Sequence, residues 1–169
     1  MVRCTVCLLV VLGVNTVASA EGIVARAEAN ALRRADGTVT PRVVRDQDGQ
    51  VTRLLLTDMK LAPEDLEEIA SLEQLRALVL FRTNVTDRDL EPLRRCAKLD
   101  HLNLTSTEVT DKAIDSILKM EKLKSLCLGD VNISADAMEK LKERNRSRDR
   151  SDAPYLRWGY SQRKEPAEK

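Results

Sequence analysis

The feature that most constrains this chain is a 24-residue period in its apolar residues. Four segments start at Val51, Leu75, Leu99 and Leu123, and in each the apolar side chains fall at offsets 0, 3, 5, 10, 15, 18 and 21. The first segment supplies Val51, Leu54, Leu56, Leu61, Leu66, Ile69 and Leu72, and the second Leu75, Leu78, Leu80, Val85, Leu90, Leu93 and Cys96. The third supplies Leu99, Leu102, Leu104, Val109, Ile114, Ile117 and Met120, and the fourth Leu123, Leu126, Leu128, Ile133, Met138 and Leu141 before breaking at Arg144. Of 28 lattice positions, 27 hold Leu, Ile, Val, Met or Cys. A fixed period of this length is the mark of stacked supersecondary units rather than of a conventional globular core.

The spacing carries its own geometry. Offsets 3 and 5 alternate with other residues, which is strand periodicity, while offsets 15, 18 and 21 lie three apart on one helix face. Each unit therefore reads as a short strand, a turn and a short helix. Pro63, Thr86, Thr110 and Ser134 stand at the expected helix starts, and Thr86 to Asp89 has the form of a capping box with Asp in place of Glu. One such unit buries too little to offset the ordering of its own backbone, so the units must stack. The fold class expected is α/β: a right-handed solenoid of four ~24-residue repeats with a parallel β-sheet on the concave side and short helices on the convex side. Composition agrees. Aromatic residues make up 2% of the chain and 24 of its 169 residues are Leu, so leucine has to build the core.

The runs Leu75-x-x-Leu78-x-Leu80-x-x-Thr83-x-Val85 and Leu99-x-x-Leu102-x-Leu104-x-x-Thr107-x-Val109 resemble the leucine-rich repeat (LRR) family. The likeness is to its bacterial and cysteine-containing types, whose convex element is a short helix. It covers residues 51–146. Two departures stand out. Where the family often has Asn, this chain has Met59, Thr83, Thr107 and Val131, and Cys96 has Leu72, Met120 and Arg144 as its counterparts.

The flanks read differently. Residues 1–20 have one positive charge, an apolar run from Cys4 to Val14 and a small-residue ending Ala18-Ser19-Ala20, the three parts of a secretory signal peptide. Cleavage is expected between Ala20 and Glu21, giving a secreted or periplasmic protein. The apolar run is shorter than the ~20 residues of a membrane span. Residues 21–50 are expected to form an N-terminal cap: a helix from Ile23 to Ala35, then strands over Thr38 to Arg45 and Gln50 to Thr57 joined by a turn at Asp46 to Gly49. Residues 147–169 form a charged, aromatic tail. It reads either as a frayed end or as a segment whose Tyr155, Leu156, Trp158 and Tyr160 fold over or engage a partner.

Charge excludes one class of partner. With 28 Lys+Arg against 27 Asp+Glu the chain has no basic excess of the kind nucleic-acid binding requires. The candidate surface is the concave sheet, whose outward rows are Arg53, Ala77, His101, Ser125, then Leu55, Val79, Asn103, Cys127, then Thr57, Phe81, Thr105, Gly129. Leu55, Val79 and Phe81 form an apolar cluster flanked by Arg53 and His101, as a recognition surface needs. Phe81 and Leu55 could instead cover each other or be shielded by a flank. Four strands at ~4.8 Å spacing give a patch well below the ~800 Å² per partner of a standard stable interface, so a modest binder is expected.

Catalysis is not expected. His101, Asn103 and Cys127 have the residue types of a thiol nucleophile site, but Cys127 lies across from Asn103 and only diagonal to His101, ~7–8 Å away. Cys4 and Cys7 would leave with residues 1–20, and the remaining one His and two separated Cys make no metal set, so no cofactor is implied. Cys96 and Cys127 fall on opposite faces and should remain unbridged. The N-x-S/T sites at Asn84, Asn103, Asn132 and Asn145 read as by-products of the repeat's Thr and Ser usage. The function expected is a non-catalytic module binding a protein or peptide through Arg53, Leu55, Val79, Phe81, His101 and Asn103. The alternative is a structural module of the cell envelope held by the basic, aromatic C-terminal segment.

Overall fold

The structure, a computed structural model, describes residues 22–30, 32–33, 39–147 and 157–162. The expected signal peptide and its cleavage site lie outside the described residues. The architecture is mixed α/β. A six-stranded open sheet has the order β3-β4-β5-β6-β7-β8, and a separate two-stranded piece pairs β1 (Leu32–Arg33) with β2 (Val39–Thr40). Strand β3 (Val43–Arg45) runs antiparallel to β4 (Val51–Leu55). From β4 the sheet continues in parallel through β5 (Ala77–Val79), β6 (His101–Asn103), β7 (Ser125–Val131) and β8 (Arg157–Gln162).

The parallel register is in step with the apolar period. Leu54, Leu78, Leu102 and Leu126 are direct partners across β4 to β7. All four are fully buried, as are Leu56, Leu80, Leu104 and Leu128 two residues on. One face of the sheet is covered by α2 (Pro63–Ala70), two 3₁₀ turns (Arg88–Leu90 and Pro92–Arg95), α3 (Ala113–Leu118) and α4 (Ala135–Ser147). Leu66, Ile69, Leu90, Leu93, Ile114, Ile117, Met138 and Leu141 from these elements join the strand leucines in one core. Each buried leucine contributes about 2 kcal/mol relative to its exposed state. Every apolar lattice position is buried except Leu72, which is partly so.

The segments that follow successive strands are held to one another by hydrogen bonds. Asp58, Arg82, Ser106 and Asp130 all adopt left-handed backbone with φ of 56°, 55°, 56° and 51°, and none is glycine. The first three donate their N–H to the next segment: Asp58 to the Phe81 carbonyl at 3.1 Å, Arg82 to Thr105 at 3.0 Å and Ser106 to Gly129 at 2.8 Å. Those bonds hold a conformation that costs an L-residue roughly 1–2 kcal/mol. Thr83 and Thr107, at the positions often held by Asn in the resembled family, are buried, and their hydroxyls donate to Leu80 and Leu104 carbonyls at 3.0 and 2.7 Å.

Further along each loop, carboxylates and amides tie successive segments. Asn84 accepts the Leu61 N–H at 2.7 Å and donates its own amide to the Leu61 carbonyl at 3.0 Å. Asp87 accepts both the N–H and the hydroxyl of Thr110, at 2.6 and 2.7 Å. Asp111 does the same for Ser134, at 2.7 and 2.6 Å. Those two Ser134 bonds, hydroxyl first, hold the Asp111 carboxyl below its ordinary pKa. Ser134 then accepts the Ala137 N–H at 3.2 Å at the start of α4.

Three expectations are corrected. The N-terminal helix α1 is Ile23–Ala29, short of the expected Ala35, and is followed by strand β1 at Leu32, with the Asn30 side-chain amide donating to the Arg26 carbonyl at 2.9 Å at the helix end. The strand expected over Thr38 to Arg45 is split at Pro41, its first part pairing with β1 and its second with β4. The second helix is replaced by two 3₁₀ turns, since Pro92 has no N–H to carry an α-helical ladder through them. The Thr86 N–H and hydroxyl still both donate to Asp89, at 2.8 and 2.7 Å. The hairpin turn lies where expected: the Asp46 N–H donates to Gln50, Gly49 sits at φ 78°, and the Gly49 N–H returns to Asp46.

The C-terminal segment is also corrected. Arg157–Gln162 is not a frayed end but pairs in parallel with β7, with Trp158 and Tyr160 in register with Leu126 and Leu128. Tyr155 and Leu156 lie outside the described residues.

Candidate functional site

Strand alternation leaves one sheet face uncovered. Its first row runs Arg53, Ala77, His101, Ser125 across direct register partners, and its second runs Leu55, Val79, Asn103, Cys127. On the antiparallel side the first row extends by one residue, since Val44 is the partner of Arg53. Val44 is 36% exposed and is the large hydrophobic side chain most open to water among the described residues.

An open cleft of about 580 Å³ lies on this face, lined by Thr52, Arg53, Leu55, Arg76, Ala77, Val79, Asp100 and His101. Four of the six expected contact residues, Arg53, Leu55, Val79 and His101, are therefore brought together. Leu55 and Val79 are half-buried partners on adjacent strands, and together with the buried Ala77 they provide an apolar floor. Arg53 and Arg76 are exposed at its edge.

Phe81 and Asn103 do not line the cleft. Phe81 is half-buried at the rim beyond β5, with the Arg82 guanidinium 5.7 Å from its ring centroid, and Arg82 is held by Asp58 at 2.8 Å. Phe81 thus has a cation over its ring while remaining half-buried, like Leu55 and Val79. The Asn103 side-chain oxygen accepts the Thr105 N–H at 2.9 Å, which fixes the start of the next loop. Leu55 is partly shielded by the flank. Its N–H donates to the carbonyl of Arg42 at 2.7 Å, and the Arg42 side chain, only 7% exposed, donates to the Thr57 carbonyl at 2.9 Å.

Thr52, Arg76 and Asp100 line the cleft although strand periodicity does not assign them to it, and Val44 extends the same face beside Arg53. Strict alternation assigns the residue before each outward position to the core side. Arg76 and Asp100, however, precede β5 and β6 and are not bound by the pleat. The Arg76 carbonyl accepts both the Asp100 and the His101 N–H at 2.9 Å, and the Asp100 carbonyl accepts both Lys124 and Ser125. Each of these carbonyls thus serves two successive N–H groups at a strand entry. Val44 was legible only through the hairpin register.

The thiols are separate and free. Cys127 lies directly across from Asn103, half-buried, and His101 is the partner of Ser125. Cys96 is buried under the helical side, its thiol donating to the Ile69 carbonyl at 3.8 Å, and burial pushes it up to about 11. Among the described residues no group of three or more His, Cys, Asp or Glu is placed to hold a metal ion, and no helix is long and apolar enough to cross a membrane.

No protein-family model and no curated protein matches the chain. Among solved structures, one titled "Crystal structure of PEPR1-AtPEP1" is similar at a TM-score of 0.39 and 20% sequence identity, over 65% of this chain and 19% of that chain. This chain thus spans about a fifth of that neighbour's length.

Proposed function

We propose that this protein is an exported leucine-rich repeat solenoid of four units that acts without catalysis, binding a protein or peptide segment across its open sheet. The observation that carries the reading is the cleft itself, where an apolar floor of Leu55, Ala77 and Val79 is rimmed by Arg53, Arg76 and His101 on strands held in rigid parallel register. Such a surface offers apolar contact at its centre and polar groups around it. The 24-residue register of the core leucines and the four left-handed residues at matching positions support the repeat reading. Export rests on the character of residues 1–20.

The alternative of an envelope module held by the C-terminal segment draws less support, because the backbone of Arg157–Gln162 is already engaged with β7.

The test is capture from an extracytoplasmic fraction on the immobilised mature chain, compared with a Leu55→Ser/Val79→Ser variant. The partner recovered on the native chain should fall by about tenfold or more on the variant, with circular dichroism unchanged. Equal recovery on both would overturn the site.

A further inference from the structure

We infer that the segment this face binds carries a single carboxylate side chain next to an aliphatic residue. The inference rests on the binding reading above and names the chemistry of its partner.

Arg26, Arg45, Arg82, Arg94 and Arg95 each hold a carboxylate, from Asp65, Glu28, Asp58, Glu91 and Glu67 in turn. Arg53 and Arg76 line the cleft and take part in none of the ion pairs among the described residues. Both stand beside apolar surface, Arg53 between Val44 and Ala77 in the sheet, and Arg76 one residue before Ala77. A neutral or cationic segment lying on Leu55 and Val79 would strip water from these guanidinium groups and return nothing. A carboxylate would replace that water with charge-assisted, bidentate hydrogen bonds.

The opposite side of the cleft limits the charge. Asp100 lines it beside His101 on the β6 side. A second acidic group placed there would meet a like charge, so a lone carboxylate over β4 and β5 fits and an acidic run does not. The aliphatic neighbour is set by the floor, which is built from Leu, Ala and Val and has no aromatic side chain to stack against.

The experiment pans a phage-displayed library of random short peptides on the full chain, on an Arg53→Glu/Arg76→Glu variant and on Leu55→Ser/Val79→Ser. All substituted residues are exposed or half-buried, and a milder Arg53→Gln/Arg76→Gln variant guards against misfolding. Peptides enriched on the native chain should place one Asp or Glu beside Leu, Ile or Val. They should bind the Glu variant about tenfold or more weakly, bind the Gln variant less tightly than the native chain, and weaken as salt is raised. Enriched peptides without an acidic bias, binding the native and Glu chains equally, would overturn the inference while leaving the binding face intact. Acidic peptides that bind Leu55→Ser/Val79→Ser as well as the native chain, or no enrichment on the native chain, would overturn the face and the inference with it.

Discussion

On the helix-covered side of the sheet, Arg95 reaches back to Glu67 of α2, Arg94 holds Glu91, and Glu91 also accepts the Ser116 hydroxyl of α3 at 3.1 Å. On the open side, Arg53 and Arg76 face a cleft floored by Leu55 and Val79 with no carboxylate in hand. Exposed ion pairs contribute little to stability, about 0–1 kcal/mol each. The pairing on the helical side is therefore not what holds the fold together. Its effect is to engage Arg94 and Arg95 with carboxylates, whereas Arg53 and Arg76 share their cleft with Asp100 but form no ion pair. Stability resides in the leucine layer between the two faces, and the proposed recognition would draw on the arginines that the open face leaves outside ion pairs.

That division can be broken or sharpened by substitution. The largest effect belongs to the shared layer. Leu102→Ala, at a fully buried position in the middle of the inward row, should cost about 2–5 kcal/mol in urea unfolding. A cost below about 1 kcal/mol would mean that the layer is not packed as described. Next comes the bend at Ser106, where φ is 56°. Ser106→Val forces a β-branched residue into left-handed backbone and should cost about 1–2 kcal/mol, measured the same way.

A smaller effect is tied to pH. Asp111 is held below its ordinary 3.8 by Ser134, so its contribution is complete above that value and is lost as pH falls through it toward the folded-state value. Acidification from neutral to about pH 3 should lower the thermal midpoint of the native chain more than that of Asp111→Asn. An equal fall in the two would remove the Asp111–Ser134 link from the account of stability. The smallest effect is on the open face. Arg53→Gln/Arg76→Gln should change unfolding free energy by less than about 0.5 kcal/mol, as should Arg95→Gln on the helical side, while only the former alters peptide capture. Loss of stability in the open-face variant would assign those arginines to the scaffold.

Much of the scaffold was legible in the sequence because the leucine lattice is a statement about burial, and burial follows side-chain chemistry residue by residue. Leu54, Leu78, Leu102 and Leu126 could be placed side by side from spacing alone. What escaped depends on hydrogen bonds that spacing does not encode. The Asn30 side-chain amide donates to Arg26 at the end of α1, Pro92 divides a helix into 3₁₀ turns, and Asn84 spends its amide on Leu61. The strand at Arg157–Gln162 lies outside the period altogether, since Trp158 follows its register partner Leu126 by more than one repeat length. The candidate site was half legible for the same reason. Arg53, Leu55, Val79 and His101 obey the pleat, whereas Arg76 and Asp100 precede their strands. Phe81 lies outside the cleft, and its neighbour Arg82, in left-handed backbone, has its guanidinium over the ring.

The loop clasps also have a direction. Asp87 grips Thr110 and Asp111 grips Ser134, each earlier loop reaching forward to its successor. The series stops after Ser134, because the position that would supply the next acid is Ala135. The carboxylate clasps therefore all point forward and the last is missing, while the Asn84 amide reaches back, to Leu61. Opening should begin at the C-terminal end of the stack and travel toward α2. Amide protons of β8 should accordingly exchange with solvent before those of β5.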